Sequence, residues 1–289
     1  TDISDHLADP KLPDFVTLFR VECGKDAGNF SILHCGDSGF NPERFKNVQG
    51  PVNMVVLRWG AARENNILFH TDAVQAYGQL KIDVNELNID MLSASGHKFN
   101  GPKGIGFLYI RKGLKIKSFV HGGAQERHRR AGTENVPGIV GIGKAAEIAM
   151  ATLEERQQKE TALRDMLIQR VLTEIPYTRL NGDRTKRLPN NANFSFQFIE
   201  GESLLIMLDM QNICASSGSA CTSGSLDPSH VLLAIGLPHE IAHGSLRLTL
   251  SHDTTEEEIN YTVDKIKDIV AKLRSMSPLY EDYVKNNQR

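Results

Sequence analysis

Hydrophobic and polar positions follow a regular period only in the later part of the chain. In residues 1 to 60, apolar pieces such as FVTLF and VNMVVLRW are separated by glycine-containing turns, which predicts only short strands and loops of unknown role. Beyond them, ILFHTDAVQAYG predicts a buried strand followed by the start of a helix, and IDMLSAS and GIGFLYIR predict two further strands. Residues 61 to 150 are therefore expected to form a sheet-containing domain.

A helical period dominates the second half. Apolar residues from Pro137 to about Ile175 predict one long helix that links two domains. After it, NFSFQFI and SLRLTL predict strands, while GESLLIMLDM, PSHVLLAIGL and TTEEEINYTVDKIKDIVAKLRS predict helices. Residues 151 to 289 are thus expected to contain the linking helix and a small α+β domain, and the whole chain to be of the α/β class.

Charge and composition narrow the classes of function. The 33 basic residues nearly balance the 35 acidic ones, so no strong field favours nucleic acid or an acidic membrane. No apolar run approaches the roughly 18 residues of a membrane span, and TDISDHLADP is unlike a signal peptide. The four cysteines show neither a zinc pattern nor a disulfide framework. We expect a cytoplasmic protein without a metal site, with a small molecule or a protein as its partner.

Lys98 is the first candidate for chemistry, because SASGHKFNGPKGIGFLYI places it in a turn between two apolar strands. A lysine desolvated there would have a lowered pKa, which suits Schiff-base formation. Ser95 and His97 put hydrogen-bonding groups beside it. The alternative is a glycine-rich strand connection without chemistry.

Asp72 and Gln75 are candidates because they follow an apolar strand. The carboxyl end of a strand is where α/β folds build their sites. Gln75 follows Asp72 by three residues, so both are expected on the same face of the next turn. The alternative is that Asp72 only caps a helix.

Two more candidates lie in the C-terminal half. Cys221 lies in SSGSACTSGSLDPSH, whose small residues favour a mobile loop, and a nucleophilic thiolate would need a neighbouring base or positive charge. Cys214 is instead expected to be a buried small hydrophobe. Arg247 interrupts the apolar strand SLRLTL, where a carboxylate held by both arms of the guanidinium would offset the cost of burial.

Four motifs follow one another in a fixed order: HTDAVQ, SGHKFNGPKG, HGGAQERHRRAGTENVPGIVGIG and SSGSACTSGS. In this order and spacing, from about Ala61 into the C-terminal helix, the chain resembles the NifS/IscS-type cysteine desulfurases. These are pyridoxal 5'-phosphate (PLP) enzymes of fold type I in the class V aminotransferase superfamily. The resemblance implies a large PLP-transferase-like domain with a mostly parallel sheet, followed by the small domain.

The resemblance also assigns cofactor-binding roles. It implies that Lys98 carries PLP, that Asp72 pairs with the pyridine nitrogen, and that Gln75 hydrogen-bonds the phenolic oxygen of the ring. Ser95 and His97 match the family's phosphate ligands.

The remaining roles concern the substrate and the partners. Cys221 would take sulfur from L-cysteine as a persulfide, leaving L-alanine, with His97 or the Lys98 amine as its base. Arg247 would bind the substrate carboxylate. Thr133 matches a threonine that reaches the cofactor of the neighbouring subunit, which implies a homodimer. An iron-sulfur scaffold or another sulfur-acceptor protein is the implied partner, and a mitochondrial location applies if the source is eukaryotic.

Residues 1 to 60 depart from the family. Its glycine-alanine-threonine phosphate loop, its ring-stacking histidine and an asparagine near the ring oxygen are not found there, and His34 lacks the expected context. A general sulfur carrier without PLP chemistry would leave Asp72, Gln75 and Lys98 unexplained, and two stronger alternatives stand beside the desulfurase. One is a selenocysteine or cystine lyase that uses the same lysine, and the other is a non-catalytic remnant that dimerises or docks to a scaffold.

Overall fold

The computed structural model describes residues 68–217 and 228–287, together with the backbone of three earlier strands. These strands are β1 (Leu18–Glu22), β2 (Ser31–Cys35) and β3 (Met54–Val56). The chain divides into two compact units, Thr1–Leu153 and Glu154–Arg289. The separate roles assigned to residues 1 to 60, 61 to 150 and 151 to 289 remain predictions.

The first unit contains two three-stranded sheets. In one, β1 pairs antiparallel with β2, which pairs parallel with β3. The other consists of β4 (His70–Asp72), β5 (Met91–Ser95) and β6 (Gly106–Ile110), with β4 parallel to β5 and β5 antiparallel to β6. The predicted strands are present, the described strands pair in both directions, and the α/β class is confirmed.

A charged network lies at the end of this second sheet where β4 and β5 begin. Asp90, just before β5, accepts the backbone N–H of Phe69 at 2.9 Å and the Nε–H of Arg111 at 3.1 Å. Arg111 also donates from Nη2 to the carbonyl oxygens of Val84 and Ile89. These bonds fix the chain before β4 and after β6 relative to the amino end of β5.

The long helix predicted from Pro137 to Ile175 is wrong in one respect. The structure has two helices, α1 (Val136–Ala151) and α2 (Leu153–Glu174), interrupted at Thr152. Thr152 leaves the helical conformation, with φ −105° and ψ 6°, and its hydroxyl donates to the carbonyl of Ile148 at 3.0 Å. A threonine hydroxyl that competes for a helix carbonyl bends or ends helices. The apolar period continues across the break, so periodicity did not reveal it.

The second unit packs helices on an antiparallel sheet. Its strands are β7 (Thr178–Leu180), β8 (Asn191–Phe196) and β9 (Ser245–Thr249), in that order. The helices after α2 are α3 (Gly201–Asp209), α4 (His230–Ala234), α5 (His239–His243), α6 (Glu256–Ser275) and α7 (Pro278–Asn287). The strands and helices predicted for this region are confirmed.

The core of this unit lies between the sheet, α2, α3 and α6. It includes Phe194 and Phe196 of β8, both fully buried, and Val263 and Ile266 of α6. A capping box begins α6: the Thr255 hydroxyl accepts the Glu258 N–H, and the Glu258 carboxylate accepts the Thr255 N–H. The cap and the buried apolar stripe together explain why this helix was predictable.

No single helix in the described residues has the length and apolar composition of a membrane span; α1 and α2 reach that composition only when counted together across their break.

Glu160 of α2 is an ionisable group that the fold buries. It is 1 % exposed, its nearest cation is the Arg156 guanidinium at 4.0 Å, and its Oε2 has no hydrogen-bond partner among the described residues. Burial raises the pKa of the Glu160 carboxyl, and Arg156 opposes this in part. Because the folded state binds this proton more tightly than the unfolded state, the group's contribution to stability declines as pH rises above 4.5.

We therefore expect Glu160→Gln to raise the free energy of unfolding at neutral pH by about 1–3 kcal/mol, because the uncharged amide costs less to bury there than the ionised carboxylate. The gain should shrink toward acidic pH, where wild-type Glu160 is itself protonated. Denaturant unfolding at several pH values measures it. Glu154→Gln, an exposed position on the same helix, is the control and should change little. An equal gain at all pH values would contradict this account.

Candidate active site

Lys98 lies in a 3₁₀ helix, Gly96–Phe99, that connects β5 to β6. Backbone bonds close this connection: the Gly96 N–H donates to Ile105 at 2.9 Å, and the Gly101 N–H donates to Gly96 at 2.8 Å. A Cβ at Gly101 would lie 2.9 Å from the Gly96 oxygen, which explains the need for glycine there. The predicted turn between two strands is therefore present, in a hydrogen-bonded form.

Phe99 determines which way this short helix faces. It is 5 % exposed and packs with Ile142 and Ala145 of α1, and its ring lies 4.8 Å from that of Tyr77. Because the phenylalanine is anchored in this cluster, its neighbours His97 and Lys98 are exposed. The expected desolvation of Lys98 is not found, and its amine is accessible from solvent.

Asp72 and Gln75 are both exposed at the carboxyl end of β4. The helix predicted after this strand is wrong: the chain makes a turn, in which the Tyr77 N–H donates to the Ala73 carbonyl at 2.7 Å. The Asp72 Oδ1 accepts the Val74 N–H at 2.9 Å, so the Asp72 side chain caps this turn. Its Oδ2 has no hydrogen-bond partner among the described residues.

Ser95 and His97 are joined directly, with Ser95 Oγ 2.9 Å from His97 Nδ1. Because β4 and β5 are parallel, their carboxyl ends lie at the same edge of the sheet. The structure thus brings five predicted site residues to one edge: Asp72, Gln75, Ser95, His97 and Lys98.

Two residues on this sheet were missed by the sequence analysis. The Nε2 of His70 lies 2.7 Å from Oγ of Ser93, across β4 and β5. Burial lowers the pKa of His70, and the neighbouring Asp72 carboxylate opposes this more weakly. Both could have been predicted from the alternation of side chains along a strand. His70 lies two positions before Asp72, and Ser93 two positions before Ser95, so each faces the same side of the sheet as that site residue.

Thr133 is exposed in the segment before α1, and no hydrogen bond among the described residues joins it to the others. The arginines nearby, Arg127, Arg129 and Arg130, are also exposed. Positive φ angles at Arg127 and His128 give this segment an irregular backbone.

Arg247 belongs to the second unit. It is half-buried on β9, and no ion pair among the described residues reaches its guanidinium. Its backbone N–H donates to the carbonyl oxygen of Ser216 at 2.6 Å, so the chain at Ser216 pairs with β9 in an isolated antiparallel bridge. Cys221 itself lies outside the described residues. Cys214 is exposed, so the expectation that it is buried is wrong.

Two histidine side chains of α5 contact each other. His239 and His243 are four residues apart, and their rings meet edge to face at 4.6 Å. Within the ranges that the structure describes, no group of three or more His, Cys, Asp or Glu side chains could hold a metal ion. Their ring contact lies within one helix.

The class-V aminotransferase family model matches residues 43–262 of this chain. A cysteine desulfurase IscS from Clostridium botulinum (strain Hall, Type A) is 58% identical over 228 residues, which cover 78% of this chain and 57% of that protein. The chain therefore spans little more than half the length of this curated relative. The family match begins at residue 43, whereas the four motifs indicated a resemblance only from about Ala61.

Solved structures agree. A NifS-like protein is 38% identical with a TM-score of 0.66, covering 73% of this chain and 55% of that one. The structure of SspA in complex with cysteine is 35% identical with a TM-score of 0.53, covering 68% of this chain and 54% of that one. The resemblance to NifS/IscS-type proteins is confirmed.

Proposed function

Since this chain belongs to the class-V aminotransferase family, we propose that it takes part in converting L-cysteine to L-alanine, with PLP held at Lys98 and sulfur passed to Cys221 as a persulfide. The observation that carries the proposal is the exposed Lys98 amine at the sheet edge that also presents Asp72, Ser95 and His97. The relative that binds cysteine supports L-cysteine as the substrate.

The donor set at this edge fits PLP. The cofactor has an aldehyde, a basic ring nitrogen, a phenolic oxygen and a phosphate, and these require an amine, a carboxylate and hydrogen-bond donors. Lys98 supplies the amine and Asp72 a carboxylate with one unused oxygen. Ser95 and His97 form a hydrogen-bonded pair suited to phosphate.

PLP, when bound, withdraws electrons from the α-carbon of an attached amino acid. Asp72 keeps the ring nitrogen protonated, and Lys98 or His97 moves the protons. The thiolate of Cys221 attacks the sulfur of the substrate, so that an S–S bond forms and the C–S bond breaks. The carbon left behind takes a proton, which yields alanine. Arg247, half-buried without an ion-pair partner among the described residues, is suited to the substrate carboxylate.

We extend the proposal to the partners. Thr133 is exposed before α1. A threonine that contacts a second subunit must be exposed in the single chain, and we propose a homodimer on that basis. A persulfide must be passed on, so a sulfur-acceptor protein such as an iron-sulfur scaffold is the proposed partner. The cytoplasm is the proposed location.

The test separates cofactor binding from sulfur transfer. We expect Cys221→Ser to retain the visible absorbance of bound PLP but to lose persulfide formation from L-cysteine, since the acceptor thiol is absent. Mass spectrometry of the protein and assay of alanine measure this. Cys214→Ser removes an exposed thiol and is the matched control, which should behave as wild type. Sulfide release that survives Cys221→Ser would favour a selenocysteine or cystine lyase, and a wild-type protein that binds no PLP would favour the remnant.

A further inference from the structure

His70 and Ser93 share a surface with the proposed PLP site. Along β4, His70 and Asp72 face one side of the sheet, and along β5 Ser93 and Ser95 face the same side, while Leu92 and Ala94 are buried on the other. In the register of the two strands, Asp72 lies opposite Ser93. The carboxylate proposed to meet the cofactor therefore has the Ser93 hydroxyl as its neighbour across the strands.

The Ser93 hydroxyl has a partner in His70, and it donates to this partner when the imidazole carries its proton on Nδ1. It lies 2.7 Å from Nε2 of His70, a short distance for a hydrogen bond of this type. Burial disfavours the charged form of the imidazole, so at neutral pH the ring carries one N–H and one acceptor nitrogen. This bond spans 23 residues of sequence and joins the two strands that end at the site.

Asp72 has one oxygen committed and one available. Its Oδ1 accepts the Val74 N–H at 2.9 Å, and its Oδ2 has no hydrogen-bond partner among the described residues. The Ser93 hydroxyl is a neighbouring donor, because Ser93 lies opposite Asp72 in the register of the two strands. Among the described residues, no side-chain hydrogen bond joins Ser93 to Asp72, and Ser93 Oγ contacts His70 instead.

We propose that His70, with its ring proton on Nδ1, is a positioning residue: by accepting the Ser93 hydroxyl proton at Nε2, it leaves Oδ2 of Asp72 free for the protonated ring nitrogen of PLP. This rests on the proposed function, because it assumes that PLP binds at this edge. His70 would thus belong to the site without touching the cofactor, and its role would be to prevent a hydrogen bond from Ser93 to Asp72. Removal of His70 lets Ser93 turn to Asp72, and the cofactor must then displace it.

The test is a double-mutant comparison of PLP affinity. We expect His70→Leu to bind PLP about tenfold more weakly, the scale of one competing hydrogen bond to a charged group. His70→Gln retains a partner for Ser93 and should bind close to wild type. The double variant His70→Leu/Ser93→Ala should recover the affinity, because the competing hydroxyl is gone. Absorbance titration with PLP measures all four proteins, and thermal unfolding without cofactor shows whether each is folded.

A second readout needs no cofactor. Side-chain ¹⁵N shifts of His70 in the PLP-free protein should indicate a neutral ring whose Nε2 resonance changes on Ser93→Ala. An unchanged resonance would overturn the proposed contact.

The outcomes of the titration are distinct. His70→Leu with wild-type affinity would overturn the inference, as would a double variant that stays as weak as His70→Leu, since His70 would then act without Ser93. Loss of affinity that tracks a lowered unfolding temperature in both variants would show a structural role instead. A wild-type protein without saturable PLP binding would overturn the proposed function itself, and this inference with it.

Discussion

Lys98→Ala should lose all covalent attachment of PLP. The wild-type protein, incubated with PLP and reduced with borohydride, should carry one cofactor at Lys98, because this exposed amine lies at the edge that also presents Asp72 and Ser95. The variant has no amine at that position. Mass spectrometry of the intact protein and of its peptides measures the attachment.

Lys103→Ala is the matched control, since Lys103 is also exposed and lies five residues further along the same connection between β5 and β6. It should retain the adduct. If PLP attaches equally to Lys103 or to several lysines, Lys98 is not selected by the site, and the adduct reflects only surface amines. That result would remove the main support for the proposed function.

Phe194→Ala should have the largest effect on stability. Phe194 is fully buried on β8, in the core between the sheet and the helices of the second unit, and its ring lies 6.2 Å from that of Phe196. Replacing a buried phenylalanine by alanine removes apolar contacts and leaves a cavity, at a cost of about 3–5 kcal/mol. Urea unfolding of the full chain, followed by circular dichroism, would measure the loss.

Phe119→Ala tests whether burial is the cause. The Phe119 side chain is 95 % exposed, so the same change of residue type removes little buried surface. It should leave the midpoint of unfolding unchanged. A loss equal to that of Phe194→Ala would mean that Phe119 is covered in solution.

Much of the second unit could be predicted because its elements are locally consistent. The amphipathic pattern of TTEEEINYTVDKIKDIVAKLRS coincides with the capping box at Thr255 and with an apolar stripe facing the core. The alternating NFSFQFI likewise became β8. In both cases the residues that determine the element lie within the element itself.

The errors arose where a side chain competes locally with the backbone. The Thr152 hydroxyl interrupts a helix whose apolar period continues, and the Asp72 carboxylate caps a turn where a helix was expected. A pattern of apolar positions records which side is buried, but it does not record where a polar side chain takes a backbone hydrogen bond.

The sequence by itself determined most of the kinds of element, the order of the four motifs and the family that they indicate. It also named Lys98, Asp72, Gln75, Ser95 and His97, which the structure brings to one sheet edge. Only the tertiary structure decided that Lys98 is exposed, because burial of Phe99 against α1 turns the 3₁₀ helix outward. It alone joined His70 to Ser93, because a hydrogen bond between residues 23 positions apart depends on strand register, which local pattern does not specify.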